Sequence, residues 1–342
     1  MTEPAHPPFP FIVARGRSGT TLLRAMFDAH PEMAIPDESH FIVQFARHRA
    51  RYREGAGFDI ERYQQDLLDH WAFRRWGLPE TAVREALAAH PPADLAAAIR
   101  TTFGAYARAR GKVRSGDKTP INVLHIDLLA DLFREAVFIH VIRDGRDVAL
   151  SYLSTDFGAK TLGQSAIQWD RFVRAGRSAG GVLGDDRYRE VRYEELIREP
   201  RKVLEELCSF VGLGFDERML RYHERADELV PTLGHTDHHQ NLYKPPTVGL
   251  RDWRLEMSTA DVAVFQSIAG ELLDELGYER ADVPVSLGTT MRARRYRAGT
   301  AIRRVAHGAR TRSRRLGRRI TQRAPDPASL ARPHGSLSGE RP

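Results

Sequence analysis

Phe9-Pro10-Phe11-Ile12-Val13-Ala14-Arg15-Gly16-Arg17-Ser18-Gly19-Thr20-Thr21-Leu22-Leu23-Arg24-Ala25-Met26-Phe27-Asp28-Ala29 is the stretch from which the fold can be read. Residues 10–16 form an apolar run ending in glycine, which predicts a buried strand. Thr20–Ala29 predicts a helix, stopped by the Asp28-Ala29-His30-Pro31 segment. Between them lies a loop with two glycines, two arginines, a serine and two threonines. Glycines let backbone N–H groups converge on the oxygens of an anion, and the helix N-terminus behind them favours negative charge. Arg17 adds a full cation. A plain strand-to-helix turn needs none of this. The loop nevertheless departs from the nucleotide triphosphatase pattern G-x-x-x-x-G-K-S/T. Aligned on Gly19, Ala14 stands at the first glycine and Thr20 at the lysine, so binding of β- and γ-phosphates is poorly supported.

Outward from that stretch the alternation continues. Residues 112–115, Ala136–Ile142 and 188–193 read as strands, the second being short, β-branched and bounded by charge and glycine. Residues 121–133, 146–152, 200–211 and 259–276 read as helices, with Pro200 suited to a first turn. Residues 40–110 read mostly as helices, with Leu67, Leu68 and Trp71, then Ala98, Thr102 and Ala105, at helical spacing. Residues 231–246 read as a loop. Strands alternating with helices predict an α/β fold of the P-loop type, in three layers, with a central parallel sheet and helices on both faces.

The chain has 342 residues, 42% of them apolar, enough to bury a sizeable core. It has no apolar run of membrane-spanning length and no signal-peptide pattern at its start. Cys208 is its one cysteine, which excludes an intramolecular disulfide and suits a cytoplasmic chain. Residues 288–342 hold fifteen arginines against Asp326 and Glu340, a net charge of +13. The whole chain carries +7, so the remainder is acidic at −6. That argues against a body that binds nucleic acid in general. The expected organisation is one domain over residues 1–287 and an arginine-rich tail over 288–342. Ile302, Val305, Ala309, Leu316 and Ile320 give part of the tail a thin amphipathic stripe, fit for weak contact with an anionic membrane surface; the rest reads as disordered.

The ordered string from Arg17 to Pro31 resembles the 5′-phosphosulfate loop and first helix of sulfotransferases that use 3′-phosphoadenosine 5′-phosphosulfate (PAPS), most closely the tyrosylprotein sulfotransferases and their bacterial relatives. The resemblance implies that Arg17, Ser18, Gly19, Thr20 and Thr21 hold the 5′-phosphosulfate. A second block, Val141-Ile142-Arg143-Asp144-Gly145-Arg146-Asp147-Val148-Ala149-Leu150-Ser151, brings an arginine out at the carboxyl edge of a parallel sheet, where open α/β folds bind ligands. It resembles the family's 3′-phosphate site, which implies that Arg143 and Ser151 contact that group. In Gly116-Asp117-Lys118-Thr119-Pro120 the resemblance gives Lys118 the role of stabilising the bridging oxygen as the sulfuryl group leaves. Val191-Arg192-Tyr193-Glu194-Glu195-Leu196 makes Tyr193 a candidate adenosine contact, with a purely structural ring as the other reading. Lys244-Pro245-Pro246 and Leu250-Arg251-Asp252-Trp253-Arg254 resemble the family's closing loop, so either Lys244 or Arg251 reaches the 3′-phosphate.

The acceptor's proton needs a base within reach. In Pro36-Asp37-Glu38-Ser39-His40 the resemblance gives that role to Glu38, although Pro36 stands where the family has glycine. His40 is the second candidate and Asp37 the third; Asp37 could also cap the following helix. The implied reaction is in-line sulfuryl transfer from PAPS to a hydroxyl acceptor, with Glu38, Lys118 and Arg17 as the catalytic groups and no metal. His235, His238 and His239 lie in a loop without carboxylate or cysteine ligands and read as no metal site. Cys208 falls in a core stripe. Two rival readings are a P-loop nucleotide kinase, which the missing loop lysine weakens, and a non-catalytic interaction protein, which the presence of Arg17, Glu38, Lys118, Arg143 and Ser151 weakens. The acceptor is left open among peptide tyrosine, carbohydrate, lipid and small molecule.

Overall fold

The computed structural model describes residues 6–55, 57–155, 158–229, 241–246 and 251–299. The chain divides into two compact units. One comprises the residues up to 143 together with 172–248, and the other 144–171 with the residues from 249 on. The three neighbouring histidines of the 231–246 loop and the apolar stripe of the tail lie outside the described residues.

All the strands among the described residues belong to the first unit: β1 (Phe9–Ala14), β2 (Met33–Ala34), β3 (Arg53–Glu54), β4 (Gly57–Phe58), β5 (Arg114–Ser115), β6 (Asp117–Lys118), β7 (Ala136–Ile142) and β8 (Tyr188–Arg192). β6, β1, β7 and β8 form a parallel sheet in that order, β2 pairs in parallel with β5, and β3 with β4 form a small antiparallel pair. Gly116 joins β5 to β6. A β-carbon there would lie 2.7 Å from Pro10 Cγ and 2.8 Å from Pro10 O, so only glycine lets the chain pass from β2 to β1.

Alternation along β1 assigns its two faces. Phe9, Phe11 and Val13 enter a core with Phe41, Phe45, Phe103 and Phe133, built on the helices of residues 41–132. Ile12 and Ala14 enter a second core with Leu23, Met26, Leu204 and Leu207. The first core is rich in rings: Phe9 meets Phe103 edge-on at 5.2 Å and Phe11 stacks on Phe138 at 5.4 Å. Each such side chain contributes about 1.5–3 kcal/mol by leaving water. The sheet with helices on both faces is the three-layer arrangement expected. Cys208 lies fully buried in the second core.

Helix Thr20–Ala29 and strand Ala136–Ile142 have the bounds read from the sequence. Residues 121–133 do not form one helix: Pro120–His125 is a 3-10 turn and Ile126–Leu132 the helix. Asn122 Nδ2 donates to Asp117 Oδ2 at 3.1 Å and ties that turn to the end of β6. The longest helix described, Leu162–Leu183, was not foreseen. Its glycines lower helix propensity, but they are needed for close approach to the sheet. A β-carbon on Gly176 would lie 2.5 Å from His140 Cε1, and one on Gly180 would collide with the Tyr188 ring.

In the second unit Arg146 is fully buried and organises its surroundings. It pairs with Asp144 at 2.7 Å, donates to Gln266 Oε1 at 3.2 Å and to Glu279 O at 2.8 Å, and lies 3.6 Å from the Trp253 ring centroid. Asp147 accepts from Trp253 N at 2.9 Å. The described chain goes on packing past the expected boundary at residue 287. Residues 287–299 are helical, with Thr289 and Ala293 buried. Tyr296 fills the space a β-carbon on Gly163 would need, and Arg297 donates to the carbonyls of Ser267 and Ile268 at 3.2 and 3.0 Å. Reading 288–342 as one basic block hid this short apolar stripe.

Candidate active site

Parallel pairing brings five segments to one carboxyl edge in the first unit: the 35–40 loop after β2, Lys118 at the end of β6, the 15–19 loop after β1, Arg143 after β7 and Tyr193 after β8. The order of strands, not distance in sequence, makes them neighbours. The 15–19 loop is closed on itself, because Ser18 Oγ donates to Arg15 O at 2.6 Å. Arg17 has φ 69° and Gly19 has φ 94°. Gly19 is the N-cap of Thr20–Ala29, and no side chain caps that helix. Ser18 is thus a loop brace whose hydroxyl is already engaged, while the Thr20 and Thr21 residues open the helix.

Glu38 and Lys118 are 80 residues apart in sequence and joined in space. Lys118 Nζ lies 2.7 Å from Glu38 Oε1, and the lysine side chain is 2% exposed. His40 Nε2 lies 3.0 Å from Glu38 Oε2. Burial acts to raise the pKa of Glu38, but the Lys118 charge and the hydrogen bonds from His40 and Lys118 outweigh it and hold the carboxyl well below the usual carboxylate range.

The loop carrying Glu38 is pinned on both sides. Ser39 N donates to Thr119 Oγ1 at 3.0 Å, and Thr119 Oγ1 donates to Asp117 Oδ1 at 3.0 Å. Asp117 is fully buried; burial pushes its pKa up to about 6 against the hydrogen bonds it accepts. Arg24 Nε donates to Ile35 O at 2.9 Å, and Asp37 pairs with Arg75 at 2.8 Å and faces Arg24 at 3.9 Å. Asp37 is therefore a clamp for the loop and not the helix cap. The N-cap of Phe41–Arg47 is His40, without a side-chain cap bond. Asp117, Thr119, Arg24 and Arg75 were not singled out from the sequence. The Gly-Asp-Lys-Thr-Pro string pointed at the first two, but nothing local marks the arginines.

Arg143 is 7% exposed and lies 4.6 Å from the centroid of the Tyr193 ring. That ring also packs on Gly19, so Tyr193 spans the space between the 15–19 loop and Arg143. Ser151 and Arg251 belong to the second unit, where Arg251 donates to Ser154 Oγ and Ser154 Oγ to Ser151 O, both at 3.1 Å. Arg251 also pairs with Glu256 at 2.6 Å. Lys244 belongs to the first unit; its side chain is exposed and its carbonyl accepts from the Tyr222 hydroxyl at 2.7 Å. Among the described residues no group of His, Cys, Asp and Glu could hold a metal ion, and no helix is long and apolar enough to cross a membrane.

Comparison with known proteins bears on the family of the chain. Protein-tyrosine sulfotransferase A of Caenorhabditis elegans is 24% identical over 287 residues, covering 82% of this chain and 70% of that protein. The protein-tyrosine sulfotransferase of Drosophila melanogaster is 24% identical over 222 residues, covering 64% of this chain but 40% of that protein. Among solved structures, the sulfotransferase domain of the Synechococcus PCC 7002 olefin synthase is 26% identical, with a TM-score of 0.50 over 81% of this chain and 98% of that one. A family model described as the sulfotransferase family matches residues 8–217, and the chain belongs to that family.

Proposed function

We propose that this protein moves a sulfuryl group from PAPS to a hydroxyl acceptor by in-line transfer, with Glu38 as the general base. The observation that carries this reading is the Glu38–Lys118 contact of 2.7 Å. It sets a base and a cation for the leaving group side by side, next to the strand that delivers the 15–19 loop. Arg17, Gly19, Thr20 and Thr21 hold the 5′-phosphosulfate, using backbone N–H groups at the uncapped helix start. Arg143 holds the 3′-phosphate; Ser151 and Arg251 carry that role in the resemblance alone. Arg251 is preferred to Lys244 because it is tied through Ser154 to Ser151. Tyr193 acts as a buried brace between Gly19 and Arg143.

The buried ammonium of Lys118 has Glu38 as its partner, and a buried charge needs one. When the phosphosulfate offers Lys118 a second anion, the charge that depresses Glu38 is drawn away and the carboxylate becomes a better base. Negative charge then grows on the departing 5′-phosphate, where Lys118, Arg17 and the loop N–H groups are aimed. The transfer as proposed uses no metal ion. A peptide tyrosine is the first acceptor to try, since the curated relatives are named for it. The arginine-rich segment beyond residue 299 is proposed to make reversible contact with anionic membrane surfaces.

The test compares 3′-phosphoadenosine 5′-phosphate (PAP, the desulfated product) with ATP plus Mg²⁺ by thermal shift. PAP alone is expected to stabilise the fold, by about 2.7 kcal/mol at a hundredfold excess over its Kd. Stabilisation by ATP with Mg²⁺ but not by PAP would replace this reading with a nucleotide kinase.

A further inference from the structure

His40 approaches Glu38 at the oxygen that Lys118 leaves open. Its Nε2 lies 3.0 Å from Oε2, while Lys118 Nζ lies 2.7 Å from Oε1. The backbone is strained to put it there. Among the described residues only Arg17 and His40 are non-glycine residues with positive φ, His40 at 48°. A side-chain-bearing residue in that region is strained, and such strain clusters at working sites. His40 is also a helix N-cap whose side chain does no capping; the imidazole is turned to the carboxylate instead. Trp71 packs on the imidazole with centroids 5.1 Å apart and an interplanar angle of 30°. Trp71 is in turn stacked with His70 at 5.8 Å, and His70 is held by Gln44 Oε1 at 3.1 Å and by Ala72 N at 3.2 Å.

We propose that His40 is a positioning residue for the base: it donates from Nε2 to Glu38 Oε2 and keeps Oε1 facing Lys118 and the acceptor. This rests on Glu38 being the base. As the acceptor oxygen bonds to sulfur, the bond from sulfur to the nucleotide's 5′-phosphate oxygen breaks. The acceptor's proton goes to Glu38 Oε1, and Lys118 stays with the leaving phosphate. A carboxylate held only by Lys118 would swing after the ammonium when the donor draws it away. Held at Oε2 by His40, it stays in place.

The experiment measures sulfuryl transfer from PAPS to a tyrosine-containing peptide, with PAPS hydrolysis as an acceptor-free readout and PAP affinity and Tm alongside. His40→Ala should lower kcat on the order of 10²-fold, the scale of a small misplacement of a reacting group, with PAP affinity unchanged. His40→Gln keeps an N–H donor of similar reach, so it should retain most of kcat. His40→Asn accepts positive φ more readily but is too short to reach Oε2, so it should behave like His40→Ala with a higher Tm; it carries the test if His40→Ala fails to fold. Full kcat in His40→Ala beside an inactive Glu38→Gln would overturn the positioning role and leave Glu38 as the base. Equal inactivity of folded His40→Gln and His40→Ala would make the imidazole itself the base. An active Glu38→Gln would instead sink the proposed function.

Discussion

The ring of Tyr193 occupies the space that a β-carbon on Gly19 would need: Cδ2 would collide with it, and Cε2 would lie 2.6 Å away. Gly19 also has φ 94°, where a β-carbon is itself strained. Gly19→Ala should therefore displace Tyr193 or reshape the loop, abolishing the thermal shift given by PAP and lowering Tm. Adding Tyr193→Ala removes the clash but not the strain, so the double variant should regain part of the Tm and little of the PAP binding. A Gly19→Ala protein that binds PAP normally would show that the loop is not the donor site.

Glu38→Gln should reduce turnover by about 10²–10⁴-fold, the usual contribution of a general base. It also deprives the buried Lys118 of its anionic partner. Calorimetry should accordingly find PAP bound more tightly by Glu38→Gln than by the wild type, because no ion pair has to open first. Lys118→Ala should lose both turnover and PAP affinity. Equal or weaker PAP binding by Glu38→Gln would mean that Lys118 does not change partners.

His140 is fully buried with Nδ1 2.6 Å from the Tyr188 hydroxyl, and burial lowers its pKa to about 3. Burial likewise lowers His70 to about 4. Both bind protons more weakly in the folded state than in the unfolded state. Their contribution to stability is full above about pH 6.5, the ordinary histidine value, and is lost as the pH falls toward the folded values. Each pKa unit corresponds to ~1.4 kcal/mol, and each kcal/mol to about 2–4 °C in Tm for domains of 150–250 residues. Thermal unfolding of His140→Asn between pH 4 and 8 should show a flatter dependence than the wild type; an identical slope would remove His140 as a cause of acid sensitivity.

Ending the chain at residue 287 removes Tyr296 from its place against Gly163 and Arg297 from the carbonyls of Ser267 and Ile268. Loss of that packing should destabilise the second unit by about 1–3 kcal/mol. Ending it at residue 299 keeps every one of these contacts and should leave Tm unchanged. Equal melting of the two truncated proteins would return the domain boundary to 287.

The elements read correctly from the sequence are those whose causes are local. Thr20–Ala29 has an N-cap glycine and a period of 3.6, and Ala136–Ile142 is a continuous apolar strand. Leu162–Leu183 escaped because its glycines oppose a helix locally and are explained only by His140 and Tyr188, which lie on other elements. The same division runs through the candidate site. Glu38, Lys118 and Arg143 could be named from short motifs. The clamp of Asp37 by Arg24 and Arg75, and the path from Asp117 through Thr119 to Ser39, could not.

By itself the sequence determined the glycine-bearing loop after the first strand, the parallel three-layer fold and the identity of most polar groups at its edge. Glycine spacing, apolar periodicity and strand order are written in consecutive residues. Only the tertiary structure decided that Glu38 is shared between Lys118 and His40, that Tyr193 separates Gly19 from Arg143, and that residues 287–299 pack as a helix. Those outcomes depend on which strands lie side by side and on how much space remains between them. Pairing β2 with β5 brings residue 38 to residue 118 across 80 positions, and no local rule reports that distance.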